Sequence, residues 1–172
     1  MYLSVQAIRM SSPPSRAEVV ADHGGLVWSL CKRLDPQPED AYQEVWEKVF
    51  RGLDRFDPEG RASLRTWVAT ITHRHLVDRH RRRKVRGEVV ALEDRAVLPR
   101  IEGQLDEHRR KTRLEAALKR LPEGQRRVVV AHHVHGLELT QIAESEGVAV
   151  GTVKSRLHRG RARLAQLMGG AR

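Results

Sequence analysis

The sequence predicts an all-α protein: two small helical domains joined by a flexible linker, the C-terminal one carrying a helix-turn-helix. Three observations predict it. Apolar residues recur at helical spacing in several separate stretches. No stretch alternates apolar and polar residues in the way that marks a strand. Residues 139–164 read as a short helix, a turn at Gly147 and a longer basic helix, the pattern in which the second helix enters the DNA major groove.

The 172 residues carry a formal net charge of +10. Such an excess favours a polyanionic partner, because neutralising phosphates releases counterions. The single cysteine, Cys31, excludes an intrachain disulfide. Lying among Leu26, Val27, Leu30 and Leu34, it reads as a small core residue. The chain does not open on a basic region, an apolar run and a small-residue cleavage site, so no signal peptide is expected. No stretch approaches the roughly 20 apolar residues of a membrane span, so a cytoplasmic protein without membrane insertion is expected.

Residues 1–16, with Ser11, Ser12, Pro13 and Pro14, read as a flexible leader, and 17–84 as a first domain. Within it, 17–34 suits one or two helices, weakened in the middle by Gly24 and Gly25. Asp35-Pro36-Gln37-Pro38 is a break. From 39 to 53, Ala41, Tyr42, Val45, Trp46, Val49, Phe50 and Leu53 form one apolar stripe. Asp40, Gln43, Glu44 and Glu47 decorate the other side, either as a solvated face or as a docking face for a basic partner. After a turn-rich loop, a helix over 62–84 carries Leu64, Trp67, Val68 and Ile71 on its core stripe, with Ser63 as a possible cap. Its end is basic: His73, Arg74, His75, Arg79, His80, Arg81, Arg82, Arg83 and Lys84 suit phosphate contacts or complement the helix dipole. Trp67 is either core or an aromatic that stacks on an unpaired base.

Residues 85–105 show no helical stripe and read as a linker; a structureless stretch of about 20 residues implies two domains rather than one. The second domain, 106–172, opens with a helix through Leu114, Ala117, Leu118 and Leu121. Pro122 suits the first position of the next helix, over 123–135, which Gly136 stops as a left-handed residue. His132, His133 and His135 do not share one helical face and read as surface histidines, so no metal is expected. In the last helix, Val153, Leu157, Gly160 and Leu164 fall on one stripe at roughly 100° per residue. Ser155, His158, Arg159 and Ala162 then point away, with Lys154 and Arg161 on one flank and Arg156 and Arg163 on the other. Small bonding side chains between two rows of cations suit a helix lying between two phosphate walls. No phosphate loop, carboxylate pair or nucleophile signature stands out, so neither catalysis nor a cofactor is expected.

These residues resemble the extracytoplasmic-function (ECF) group of RNA polymerase sigma factors, within the housekeeping-type sigma family. The segment Pro38–Trp46 looks like the helix that docks on the β′ clamp of core RNA polymerase, which makes Asp40, Gln43, Glu44 and Glu47 the implied polymerase contact. Leu53–Phe56 and Leu64–Ile71 resemble the promoter-melting segment, and Asp78–Arg83 the end of the −10 reading helix. The resemblance implies −10 contacts at Trp67, Thr70, His73, Arg74, Asp78, Arg81 and Arg82. Leu121–Arg126 and Val150–Arg161 resemble sigma domain four, a helix-turn-helix of winged-helix-like type that also meets the β flap. Its implied −35 contacts are Thr152, Lys154, Ser155, Arg156, His158, Arg159, Arg161 and Arg163.

The family also implies promoter DNA and an anti-sigma factor as partners, and no further C-terminal domain is expected here. Three positions depart from the pattern: Arg74 stands where many members carry asparagine, Glu138 where a serine cap is usual, and Ala149 where proline is frequent. Against this stand a free operator-binding regulator that uses the C-terminal reader alone, and a nucleic-acid enzyme, for which no site is found.

Overall fold

The computed structural model describes residues 14–60, 62–88 and 105–169, with side chains of the last segment from residue 109 onward. Every regular element among them is helical. No strand accompanies the helix-turn-helix there, so it carries no wing within the described residues. The expected leader up to residue 13, and the linker over 89–104, lie outside them.

The first three helices form one unit. Helix α1, Arg16–Leu34, starts on a capping box: Ser15 Oγ accepts the Glu18 N–H at 3.3 Å and Glu18 Oε2 accepts the Ser15 N–H at 2.8 Å. Arg16 is therefore already helical rather than part of a leader. Gly24 and Gly25 do not break α1. Burial of Val19, Leu26, Val27, Leu30, Cys31 and Leu34 outweighs the cost of about 1 kcal/mol per helical glycine. Gly24 also admits a neighbour, since a Cβ there would stand 3.1 Å from the Tyr42 hydroxyl.

Helix α2, Pro38–Leu53, buries Ala41, Val45, Trp46, Val49 and Leu53. Its aromatic residues continue from α1 in a ladder: Trp28 meets Tyr42 edge-on at 5.8 Å, Tyr42 meets Trp46 at 5.9 Å, and Trp46 stacks on Phe50 at 5.5 Å. Helix α3, Leu64–Val85, is capped by Ser63, whose Oγ accepts the Thr66 N–H at 3.2 Å.

The remaining helices form the second unit: α4, Leu105–Lys119; α5, Glu123–Val129, which continues as a π-helical turn over Val130–Val134; α6, Leu139–Glu146; and α7, Val150–Gly169. Pro122 caps α5 instead of opening it; its carbonyl accepts the N–H groups of Gln125 and Arg126, each at 2.9 Å. Gly136 ends the π turn at φ +72°, with the Leu137 N–H bonded to the Ala131 carbonyl at 3.0 Å. His135 is not the surface histidine its spacing suggests. It follows the π turn and is 7% exposed. Glu138 gains support as a cap from Gln141, whose Oε1 accepts its N–H at 3.0 Å.

The two units are not held apart. Helix α3 lies along α6, the π turn touches α1, and the apolar core runs through both. Arg33 of α1 pairs with Glu115 of α4 at 2.5 Å, and His80 of α3 meets Glu123 of α5 at 2.5 Å.

Gly160 sets the angle of α7. A Cβ on it would stand 2.7 Å from Cγ2 of Val129, so α5 and α7 cross with backbone against side chain. Gly160→Ala should destabilise the protein by about 1–3 kcal/mol despite alanine's better helix propensity. Urea denaturation followed by circular dichroism measures it, and a stabilised variant would show that the crossing relaxes freely.

Candidate nucleic-acid interface

Helix α7 presents the face expected of it. Val153, Leu157 and Gly160 are buried, while Lys154, Ser155, His158, Arg159, Arg161, Ala162 and Arg163 are exposed. Thr152 is half-buried and its carbonyl accepts the Ser155 hydroxyl at 3.0 Å. Arg159 folds back on the same turn, its Nε 3.3 Å from the Ser155 carbonyl and its Nη2 3.4 Å from Ser155 Oγ. These bonds hold the guanidinium close to the helix without burying it.

Arg156 differs from its neighbours. It is half-buried and reaches back to Glu146 Oε2 at 3.3 Å. Glu146, the last residue of α6, is 2% exposed and receives Arg127 of α5 in bidentate fashion, through Nε at 2.7 Å and Nη2 at 2.9 Å. Burial alone would raise the Glu146 pKa; the Arg127 bonds, reinforced by Arg156, lower it below the usual carboxylate value. Arg127 is raised by the same pairing against its own burial.

The chain then turns at Gly147, φ +59°. A side chain there would be strained, and its Cβ would stand 3.1 Å from Arg81 Nη2. Arg81 uses that space to donate to the Glu146 carbonyl. The short turn of the helix-turn-helix is thus clamped by three arginines, from α3, α5 and α7.

On α3 the basic run divides by helical face. His75 is buried, with Nε2 2.9 Å from Glu44 Oε2. Arg79 and Arg83 turn toward Asp35, whose side chain is fully buried; Arg79 Nε is at 3.1 Å and Arg83 Nη1 at 2.8 Å from its Oδ2. His73 is fully buried 3.8 Å from Glu146 Oε1. Burial pushes its pKa down to about 4, so at neutral pH this contact is not an ion pair. Arg74 and Arg82 remain exposed, while Asp78 and Thr70 are half-buried. Trp67 is half-buried, packed on Phe56 at 5.3 Å and over Gly52, where a Cβ would stand 3.1 Å from the ring.

The acidic face of α2 is divided too. Asp40, Gln43 and Glu47 are exposed, and Glu47 has only the neighbouring Arg51 at 3.0 Å. Glu44 turns inward to Arg79 and His75; burial would raise its pKa, but the Arg79 bond lowers it. Asp35, Glu146 and Arg127 carry the local charge balance, and sequence reasoning does not single them out. Asp35 sits in a turn-like Pro-rich break, and Glu146 at what reads as the polar end of a short helix. An acidic residue just before a glycine turn in a basic segment is the one available signal. No cluster of histidine, cysteine or carboxylate suited to a metal occurs among the described residues.

Two helical units, the second a helix-turn-helix with a solvent-facing cationic helix, define a DNA-binding protein with two heads. Residues 19–86 match sigma-70 region 2, and residues 111–164 match sigma-70 region 4. The chain is 35% identical over 158 residues to the ECF RNA polymerase sigma factor SigE of Mycolicibacterium smegmatis, covering 88% of this chain and 60% of that one. It is 36% identical over 140 residues to the ECF RNA polymerase sigma factor SigM of Mycobacterium tuberculosis, covering 81% of this chain and 68% of that protein.

In fold it is similar to the sigma factor RpoE of Bartonella quintana, solved in complex with the anti-sigma factor NepR: TM-score 0.68, 24% identity, 91% of this chain and 98% of that one. The chain belongs to the ECF RNA polymerase sigma factors, a family that directs promoter-specific initiation of transcription. The relatives are ECF proteins, so the housekeeping-type label does not apply.

Removing one partner of the buried pair should be costly. Glu146→Ala leaves the buried Arg127 without its bidentate partner and with only the half-buried Glu123 at 3.1 Å among the described residues, and is expected to destabilise the chain by about 3 kcal/mol, whereas the double variant Arg127→Met, Glu146→Leu should recover most of that. Denaturant titrations of the three proteins measure the coupling. The Glu146 pKa is lowered in the fold, so its contribution is full above the unfolded value of 4.5 and is lost as pH falls through the folded value.

Proposed function

We propose that this chain is a dissociable, non-catalytic initiation subunit that binds core RNA polymerase in the cytoplasm and carries it to promoters with −35 and −10 elements. The co-occurrence of region 2 and region 4 in one chain carries this reading, since a free operator-binding regulator needs only the second. The exposed α7 side chains Ser155, His158 and Arg159 read the −35 element from the major groove. Thr152, Lys154, Arg161 and Arg163 hold the flanking phosphates. Arg156, which the resemblance puts in this set, acts through its bond to Glu146 as a positioning residue.

In the first unit, Arg74 and Arg82 meet the −10 strand, with Thr70 and Asp78 beside them, and Trp67 supplies the aromatic against which an unpaired base rests. The exposed Arg81 is tied to the Glu146 carbonyl, and His73 joins them only when α3 parts from α6. Asp40, Gln43 and Glu47 dock on a basic surface of the polymerase clamp, and the second unit meets the β flap. Glu44 positions Arg79 and His75 beneath that face. The described residues include no helix long and apolar enough to cross a membrane. A relative in fold is held by an anti-sigma factor, which supports such a partner here.

In vitro transcription with core polymerase and a cognate promoter tests the whole. Asp40→Arg with Glu47→Arg should abolish polymerase binding while leaving helix content unchanged, because neither side chain is buried. Glu44→Arg would not separate docking from folding, since it removes the acid that Arg79 and the buried His75 meet and sets a second cation beside Arg79. Unchanged polymerase affinity in the double variant would refute the docking face. Arg159→Ala should weaken promoter binding by about 1–3 kcal/mol and relax selectivity at one −35 position. Removing Lys154 or Arg161 should weaken binding uniformly and lower the salt slope by about 0.9 each.

A further inference from the structure

One side of α3 is absorbed by the second unit and serves no purpose in the free reading of DNA. His73, His80 and Arg81 recur on that side at helical spacing, and all three contact α5 or the end of α6. His73 has no exposed surface, and neither of its ring nitrogens has a hydrogen-bond partner. A histidine sealed in this way is held neutral by its burial, and the charges that act on it, Glu146 and Arg127, belong to the second unit.

We propose that this seam is an acid-released latch: at neutral pH it keeps α3 closed on the α5–α6 corner, and protonation of its histidines parts the two units.

Burial sets the sign, and the charges facing the seam do not reverse it. From α6, Glu146 alone would welcome a proton on His73, but it is already committed to Arg127 of α5 and Arg156 of α7. Burial is the largest effect on a charged His73; the attraction of Glu146 opposes it but is offset in part by Arg127, so the proton stays off while the seam is closed. His80 meets Glu123, yet Glu123 also serves Arg127 at 3.1 Å, and the net effect of burial and the nearby arginines is to lower the His80 pKa. His135, on the π turn that touches α1, faces Arg33 and Arg65 of the first unit and is lowered to about 4 by burial first and those charges second. All three histidines therefore resist protonation while the seam is closed, and each regains an ordinary affinity when it opens.

The sign follows from linkage. A histidine lowered to about 4 in the closed form and near 6.5 in the open form leaves the latch intact above 6.5 and weakens it as pH falls below that value. For His73 alone, the opening constant should rise about thirtyfold between about pH 7.5 and about pH 5. Glu146 stays ionised over this range, so its pairs with Arg127 and Arg156 keep the helix-turn-helix intact. The consequence for transcription rests on the DNA reading given above: opening uncovers His73 and releases the exposed Arg81 from the Glu146 carbonyl, beside Arg74 and Arg82. The latch itself does not depend on that reading.

Energy transfer between dyes on Glu59→Cys and Ala165→Cys, both exposed positions, reads the closure directly in the full chain. Cys31 is buried with its thiol pushed up to about 12, and stays unlabelled. Transfer should fall on acidification from about pH 7.5 to about pH 5 with helix content unchanged, and the rise in the opening constant obtained from it should be about thirtyfold smaller in a His73→Phe background. His80→Gln, at a half-buried position, gives the same comparison with less risk to folding. Transfer that does not change with pH, a fall as large in both histidine variants as in the parent chain, or a fall that tracks loss of helix would each overturn the latch. A chain that closes and opens as described but fails in transcription would instead refute the promoter reading and leave the latch standing.

Discussion

The structure depends on one buried carboxylate. Glu146 ends the first helix of the helix-turn-helix where the chain must turn, and a lone charge at 2% exposure would not be tolerated there. It survives because Arg127 meets it with two parallel bonds and Arg156 with a third. Those bonds tie α5, α6 and α7 together at a single point. The direction in which α7 projects, and so the direction of Ser155, His158 and Arg159, is set there and at the Gly160 crossing. Arg81 brings α3 to the same point through the Glu146 backbone carbonyl, so the first unit is tied to the residue that orients the reader.

A dense basic run can do several things at once because a helix separates its faces. On α3, Arg79 and Arg83 are spent on Asp35, a fully buried acid in the α1–α2 connection. His75 is spent on Glu44. His73, His80 and Arg81 face the second unit, and Arg74 and Arg82 face solvent. The 32 lysines and arginines therefore overstate the cations available to a phosphate backbone, because several of them neutralise acids within the fold, a cancellation that the net charge of +10 already includes. The same logic halves the acidic face of α2, where Glu44 looks inward and Asp40 and Glu47 look out.

The closed seam and the DNA-reading surfaces are unequal in exposure. The outward face of α7 is open in this arrangement, whereas part of α3 is covered. A subunit built this way can meet double-stranded DNA through its second unit before its first is fully uncovered. Separation of the units exposes buried histidines as well as apolar surface, which makes the arrangement sensitive to proton concentration in addition to binding partners.

The helical class, the register of α2 and α7, the Ser63 cap and the Gly136 and Gly147 turns were all legible in the sequence. Each depends on spacing, propensity or a positive φ within a few residues. The outward face of the reader was legible for the same reason: once Val153, Leu157 and Gly160 are placed inside, helical geometry leaves Ser155 and Arg159 outside. Continuity of α1 through Gly24 and Gly25, the π turn and the burial of His135 after it, the inward turn of Glu44 and the capture of Arg156 by Glu146 were not legible. These follow from contacts between residues distant in the chain, where burial and charge pairing outweigh local preference. The sequence by itself determined which helices form and which face each shows. Only the tertiary structure decided which charges are consumed inside, because a charge finds its partner across space and not along the chain.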